Sequence, residues 1–314
     1  MKVTFRVPLL LSILLLIGGV RCIPSSTPRE YNTQRVVIIV VDGPRFTETW
    51  DEPDRYYIPA RNRLMKNGVI SQYFYNEGVT YTNNGHTAIT TGVYDNLDNW
   101  GSSYPANPSI FQYYLKQKGL PASKCQLITS KDKLSILADC NDANWVGKYN
   151  PETDCGNGGA HSGYRNDAVT YAHVIQTLSK KKPNLVLVNF QEPDASGHSN
   201  NWQGYINGIR KTDEYIGNVW KYLQQDVYYK GKTTLMVTND HGRHLDGVFD
   251  GFISHGCTCE GCRRIEFFAI GPDFKENYAS TKTAELTDVA ATVGELLGFK
   301  TTQSNGRVMK ELFK

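Results

Sequence analysis

The chain has 314 residues, enough for one large domain or two small ones with a sizeable apolar core. Its formal charge of +3 resides entirely in the first 22 residues, through Lys2, Arg6 and Arg21, so the rest carries 31 basic and 31 acidic side chains. That balance gives no ground for nucleic acid or a charged membrane surface as the main partner.

Residues 1–22 read as a secretory signal peptide. Lys2 and Arg6 form a basic start, Val7 to Val20 is an uncharged apolar run, and Val20-Arg21-Cys22 is a plausible cleavage site. The run is short for a membrane span, and an uncleaved anchor is the alternative. Arg21 stands where a lipoprotein signal needs a small residue. We therefore expect a secreted or extracytoplasmic protein with one domain over residues 23–314. Six cysteines remain beyond Cys22: Cys125, Cys140, Cys155, Cys257, Cys259 and Cys262. An even count behind a leader predicts three disulfides. The competing reading is a metal knot at Cys257-Thr-Cys259-Glu-Gly-Cys262, with His255 as the nearby fourth donor.

Val36 to Val41 is an unbroken β-branched run, as expected of a central strand covered on both faces, and it ends at Asp42-Gly43. Arg61 to Asn67 reads as helix and stops at Gly68. Gly78 to Gly92 packs hydroxyls, two amides and His86 around an Asn83-Asn84-Gly85 turn signal, then runs into small apolar residues that open a helix. A hydroxyl at such a junction lies beside free backbone N–H groups and suits an anion. Pro108-Ser109 starts a helix ending at Gly119, and Gln126 to Thr129 is a short strand. Asn141 to Arg165 is rich in Gly, Asn and Asp and reads as a surface loop stapled by disulfides. Asp167 to Lys180 is an amphipathic helix, and Leu185 to Phe190 a buried strand running into Glu192-Pro193-Asp194-Ala195-Ser196-Gly197-His198. A long helix follows from about Ile206 to Leu223. Thr234 to Thr238 is a strand ending at Asn239-Asp240-His241-Gly242, Phe267 to Ile270 another, and Leu286 to Leu297 the last helix. Strands alternating with helices predict an α/β fold with a largely parallel central sheet flanked by helices.

Three strands end in acid or imidazole: Asp42, then Asp194 with His198, then Asp240-His241. Ligands bind outside the carboxyl ends of strands in open α/β sheets, so these side chains converge there, and His255 returns to the same edge. Three carboxylates and three imidazoles at one place require cations to neutralise them. Mixed His/Asp ligation suits zinc over calcium or magnesium, and six ligands suit two ions. A pair roughly 4 Å apart clamps the attacking and leaving oxygens of a phosphoryl transfer and activates a coordinated hydroxyl. Each cluster alone is commonly a cap or turn; their repetition at equivalent strand ends is what carries the inference.

These pieces, in this order from about residue 36 to 272, resemble the alkaline phosphatase superfamily and most closely its nucleotide pyrophosphatase/phosphodiesterase branch. The resemblance rests on Val40-Val41-Asp42-Gly43, Thr82-Asn83-Asn84-Gly85-His86-Thr87 ending in Thr91-Gly92, Glu192-Pro193-Asp194-Ala195-Ser196-Gly197-His198, Thr238-Asn239-Asp240-His241-Gly242 and His255-Gly256. It implies two zinc ions. Asp194, His198 and His255 match the ligands of one; Asp42, Asp240 and His241 match those of the other, with Thr82 coordinated to it as nucleophile and passing through a phospho-threonine intermediate. It implies a small phosphorylated substrate, a nucleotide or phosphodiester. Two departures concern substrate preference. Gly85 stands where the branch's phosphodiesterases have Asn, and the phosphate-binding Asn expected about twenty residues beyond the nucleophile falls at Ser103, with Asn99 the nearest amide. Asn83, by its backbone, and Asn99 are the candidate oxyanion donors.

Thr80 is the fallback nucleophile. His86 is placed near the nucleophile, His173 is structural, and His244 is a rival to His255 as ligand. No Cys/Ser-x-Pro-x-Arg motif occurs, which argues against a sulfatase; phosphoglycerate mutases of the superfamily use serine and are cytosolic, against which the leader speaks. A phosphomonoesterase is the alternative activity, and an inactive metal-stabilised secreted binding protein the alternative of another class.

Overall fold

Asp42, Asp194 and Asp240 stand at one edge of the sheet because the strands before them end flush. In the computed structural model, which describes residues 1–5 and 30–314, β1 (Arg35–Val41) lies between two parallel neighbours. Val41 pairs with Phe190 on one side and Val40 with Thr238 on the other. The leader expectation falls on residues that, apart from the first five, lie outside those described.

The remaining elements follow in chain order: α1 (Pro59–Leu64), β2 (Gly68–Tyr75), α2 (Thr82–Thr91), α3 (Ile110–Lys118), β3 (Cys125–Thr129), β4 (Glu152–Cys155), α4 (Asp167–Lys180), β5 (Leu185–Phe190), α5 (Asp194–His198), α6 (Trp202–Gln225), β6 (Thr233–Thr238), α7 (Glu260–Arg263), β7 (Arg264–Ile270), β8 (Tyr278–Ser280), β9 (Ala284–Glu285) and α8 (Thr287–Leu297). Along the sheet the order is β4-β3-β5-β1-β6-β7-β2-β8, with β9 also on β2. From β4 through β6 every pairing is parallel; β7 runs antiparallel to β6 and β2. This is the mixed but largely parallel α/β architecture that the alternation of elements predicts.

The β1 run is β-branched because both faces are covered. Val36, Ile38 and Val40 face one core, shared with α2, α3 and α8; Val37, Ile39 and Val41 face the other, shared with α4 and α6. At roughly 25 cal/mol per Å² of apolar surface removed from water, such two-sided burial dominates the stabilisation of the sheet. Ser109 closes a capping box with Gln112 at the start of α3, and Gly119 ends that helix in the left-handed conformation. Tyr31–Lys314 form one unit. Among the described residues no helix is long and apolar enough to cross a membrane.

Three expectations are corrected. Gly68 does not merely stop a helix: it opens β2, whose middle residues Gln72 and Tyr73 are exposed and so break the apolar signature of a buried strand. The Asn141–Arg165 segment is not wholly loop, since β4 adds to the sheet edge in parallel with β3. The six cysteines from Cys125 onward are free thiols, not three disulfides. Cys155 pairs in register with Thr129, four residues along β3 from Cys125, and about 13 Å of strand separates such positions, beyond the reach of a disulfide.

Candidate metal centre and nucleophile

Thr82 is the first residue of α2, buried to 1% exposure, with its hydroxyl at the sheet edge where β5, β1 and β6 end. His86, one turn later, donates from Nδ1 to the Thr82 carbonyl (2.9 Å) and accepts at Nε2 from Asn189 Nδ2 (3.2 Å). Asn189 also donates to Asp42 Oδ2 (3.0 Å). Gly85 explains its own departure from the family pattern: a Cβ there would stand 2.3 Å from the Asp240 carbonyl oxygen, so only glycine lets α2 lie against the end of β6.

Two groups of donors surround the hydroxyl. His241 Nδ1 donates to the Gly242 carbonyl (2.9 Å), which fixes the tautomer and leaves the Nε2 lone pair free. That nitrogen faces Asp42 Oδ1 (3.5 Å), Asp240 Oδ2 (3.4 Å) and Thr82 Oγ1 (3.5 Å). Both carboxylate oxygens are buried: Asp240 Oδ2 has no hydrogen-bond partner, and Asp42 Oδ1 meets only the Lys131 ammonium at 2.9 Å. Beside them, Asp194 Oδ1 lies 3.3 Å from His198 Nε2 and 3.5 Å from His255 Nε2, and the two imidazole nitrogens are 3.1 Å apart. His255 Nδ1 donates to the Thr80 carbonyl (2.7 Å), so its Nε2 is also free to ligate. Buried carboxylate and imidazole lone pairs that converge on one place, with few donors for their number, fit divalent cations. All six ligands expected from the strand ends are thus brought together, with the rings of His241 and His255 stacked at 3.6 Å.

Electrostatics follow from what each group faces. Burial pushes Asp42 toward neutrality, but Lys131 and the hydrogen bond with His241 outweigh it and hold the carboxyl well below its usual range. Asp194 is likewise held far down against its burial, by Lys131, His198 and Arg243. Burial and the neighbouring His241 push His255 down, which keeps it a neutral imidazole suited to ligation.

Two site residues escaped the sequence reading. Lys131, 3% exposed, extends from the end of β3 to within 3.2 Å of Thr82 Oγ1, 2.7 Å of Asp194 Oδ2 and 2.9 Å of Asp42 Oδ1. The one hint in the sequence was its place after a fourth strand, β3, and a lysine there ordinarily reads as solvated. Arg243 is fully buried and ties Asp194 Oδ1 to the carbonyls of Phe252 and Ile253. Gly197 packs on it: a Cβ there would lie 2.7 Å from the guanidinium, the reason for glycine in the Asp194–His198 turn.

The amides and remaining histidines also find places. Asn83 Nδ2 donates to the Asp98 carbonyl (3.0 Å), and its backbone N–H to Asn99 Oδ1 (3.2 Å). Lys133 Nζ donates to the same Asn99 oxygen (2.9 Å). With Oδ1 engaged, the Asn99 NH2 group is the part left to donate. The Thr80 hydroxyl donates to the Cys257 carbonyl (2.9 Å), which commits it to the loop that carries His255. His173 pairs with Asp154 (2.7 Å), away from the site. His244 does not compete with His255: it lies in a separate group with Cys257, Cys259 and Cys262.

A family model described as the metalloenzyme superfamily matches residues 106–301. Among curated proteins, the chain is similar to 2,3-bisphosphoglycerate-independent phosphoglycerate mutases: 28% identical over 123 residues to that of Gracilaria tenuistipitata var. liui, spanning 39% of this chain and 23% of the mutase, and 28% over 126 residues to that of Onchocerca volvulus, spanning 40% and 23%. The chain thus covers about a quarter of the length of these relatives. Among solved structures it is similar to murine ectonucleotide pyrophosphatase/phosphodiesterase 5, with a TM-score of 0.64 and 17% identity over 90% of this chain and 100% of that one, and to the phosphonate monoester hydrolase of Agrobacterium radiobacter, with 0.65 and 12% over 88% and 76%. The fold, the strand-end acids and imidazoles and the matched model agree: the chain belongs to the metalloenzyme superfamily, the alkaline-phosphatase-like group.

Proposed function

We propose that the chain is a secreted two-zinc hydrolase of phosphoric esters or anhydrides, of the phosphodiesterase or nucleotide pyrophosphatase type, acting through phospho-Thr82. The observation that carries this is the Thr82 hydroxyl, buried between two Asp/His groups and 3.2 Å from a buried ammonium. Asp42, Asp240 and His241, with Thr82, would hold one zinc and Asp194, His198 and His255 the other. Bound there, the ions supply Lewis acidity that lowers the hydroxyl pKa and screens phosphoryl charge.

The chain's own groups do the rest. Thr82 Oγ gives up its proton to solvent and attacks phosphorus; the bond from phosphorus to the leaving oxygen breaks as the new one forms, and that oxygen takes a proton from solvent. Lys131 stabilises the alkoxide and then the phosphoryl oxygens; Asn99 donates its amide to an equatorial oxygen. Water then attacks phospho-Thr82, the Thr82–phosphorus link opens, and the hydroxyl returns. A complex of AMP with an inactive variant of the murine phosphodiesterase 5 supports a small phosphorylated substrate. The threonine in the nucleophile position favours this over the mutase activity of the curated relatives, which rests on serine.

The test compares bis(p-nitrophenyl) phosphate with p-nitrophenyl phosphate, with and without chelator. We expect chelator-sensitive turnover with the diester preferred. Preference for the monoester would move the assignment to a phosphomonoesterase, and no turnover of either by the metal-loaded chain would favour a non-enzymatic binding role.

A further inference from the structure

Outside the catalytic edge, His244, Cys257, Cys259 and Cys262 bring one ligand atom each to within 4.8 Å of all the others. We propose that these four residues form a third metal site, a Cys3His zinc site that clamps the loop between β6 and β7. It stands independently of the hydrolase assignment and uses none of its ligands.

The strongest sign is His244. Its side chain is buried, 5% exposed, and its Nε2 has no hydrogen-bond partner. A buried imidazole nitrogen without a partner costs free energy unless a ligand satisfies it. Its Nδ1 is paired with Asp250 Oδ1 at 2.9 Å, which sets the proton on Nδ1 and leaves the Nε2 lone pair for the cluster. A carboxylate behind the histidine is the support that zinc-binding imidazoles ordinarily have.

The sulfur geometry agrees. Cys257 Sγ and Cys262 Sγ are 3.7 Å apart. That is too far for a disulfide, which needs about 2.05 Å. It matches the edge of a tetrahedron with zinc–sulfur distances of about 2.3 Å, an edge near 3.8 Å. The Cys259 N–H donates to Cys257 Sγ (3.2 Å), a contact that favours thiolate over thiol. Binding would release up to three thiol protons to solvent and leave a centre of net charge −1, from three thiolates and a divalent ion. Three sulfurs with one nitrogen select zinc over magnesium or calcium.

The position gives the site its purpose. The Gly242 N–H donates to the Cys262 carbonyl (2.8 Å) and the His244 N–H to the Ser254 carbonyl (3.2 Å). Cys257 accepts the Thr80 hydroxyl (2.9 Å), two residues before Thr82. His244 follows Arg243, and Cys257 is two residues beyond His255. One ion would therefore lock both ends of the loop that presents His241, Arg243 and His255.

Cobalt substitution tests this without reference to turnover. Chelator-stripped wild type titrated with Co2+ should develop sulfur-to-cobalt charge-transfer absorption in the near ultraviolet, which the oxygen and nitrogen ligands of the catalytic edge cannot give. Cys259→Ser should lose most of that band and bind one zinc fewer per chain, whereas Asp240→Asn should keep the band. Should Cys259→Ser fail to fold, the wild-type spectrum decides together with alkylation mass spectrometry of the unreduced chain, which should find all three thiols free after metal removal. Absence of the charge-transfer band in cobalt-loaded wild type, or a disulfide between any two of these cysteines, would overturn the proposal. Loss of turnover in Asp240→Asn with the band intact would bear only on the hydrolase assignment.

Discussion

The Lys131 ammonium lies 3.2 Å from the Thr82 hydroxyl and 2.7 Å from Asp194 Oδ2, so one buried cation joins the proposed nucleophile to the Asp194 group. A cation so deep among acids keeps its proton: burial opposes the charge, but Asp194, Asp42 and Asp240 outweigh it and raise its pKa. If it steadies charge developing on Thr82 and the phosphoryl group, Lys131→Met should lower kcat by about 10²–10³-fold while zinc content stays at the wild-type value. Steady-state kinetics alongside metal analysis checks both. Unchanged kcat would reduce Lys131 to a counter-ion for Asp42 and Asp194.

Gly85 offers a test of the packing that aims Thr82. An added methyl meets the Asp240 carbonyl oxygen at 2.3 Å and its carbon at 2.8 Å, and neither backbone atom has room to yield. We expect Gly85→Ala to cost about 1–3 kcal/mol of stability. Misplacement of the hydroxyl one turn away should lower kcat by about 10²-fold if α2 moves by near 1 Å. Thermal unfolding and kinetics measured together should show both losses. Loss of stability with kcat intact would mean that the β6 edge, not α2, gives way.

Asp167 couples stability to pH near the site. It accepts from the Gln191 N–H (2.8 Å), the Glu192 N–H (3.0 Å) and the Ser130 hydroxyl (2.6 Å), and so holds the segment leading to Asp194. Burial pushes its pKa up to about 6, only partly offset by those hydrogen bonds. The folded chain therefore holds this proton more tightly than the unfolded chain. Its contribution is fully present below about pH 4 and is lost as pH rises through 6, on the order of 3 kcal/mol in all. Urea unfolding of metal-free wild type between pH 4 and 7.5 should carry this slope, and Asp167→Asn should flatten it. An identical slope in the variant would place the titration elsewhere.

Much of this arrangement was legible before the fold was known, and the reasons are specific. β1 and β5 announce themselves through Val36–Val41 and Leu185–Phe190, whose two-sided burial demands continuous apolar residues. Asp42, Asp194, Asp240 and the histidines were legible because strand ends repeat a chemistry. Lys131 and Arg243 were not, because a lysine or arginine after a strand reads as solvated until buried acids are seen around it. β2 escaped because its exposed Gln72 and Tyr73 interrupt its pattern. The His244 and cysteine cluster was half legible: Cys257, Cys259 and Cys262 suggested a metal knot, but the fourth donor is His244 and not the nearer His255, which is turned to Thr80 and Asp194.

The nucleophile remains the central claim, and Thr82→Ala addresses it most directly. Among the described residues the hydroxyl meets Lys131 and His241. The variant should fold and keep Asp42, Asp240 and His241 to hold the metal that Thr82 would share. Its turnover of bis(p-nitrophenyl) phosphate at matched metal content should fall by about 10³-fold or more, the scale of losing a covalent nucleophile. Turnover equal to wild type would contradict the assignment.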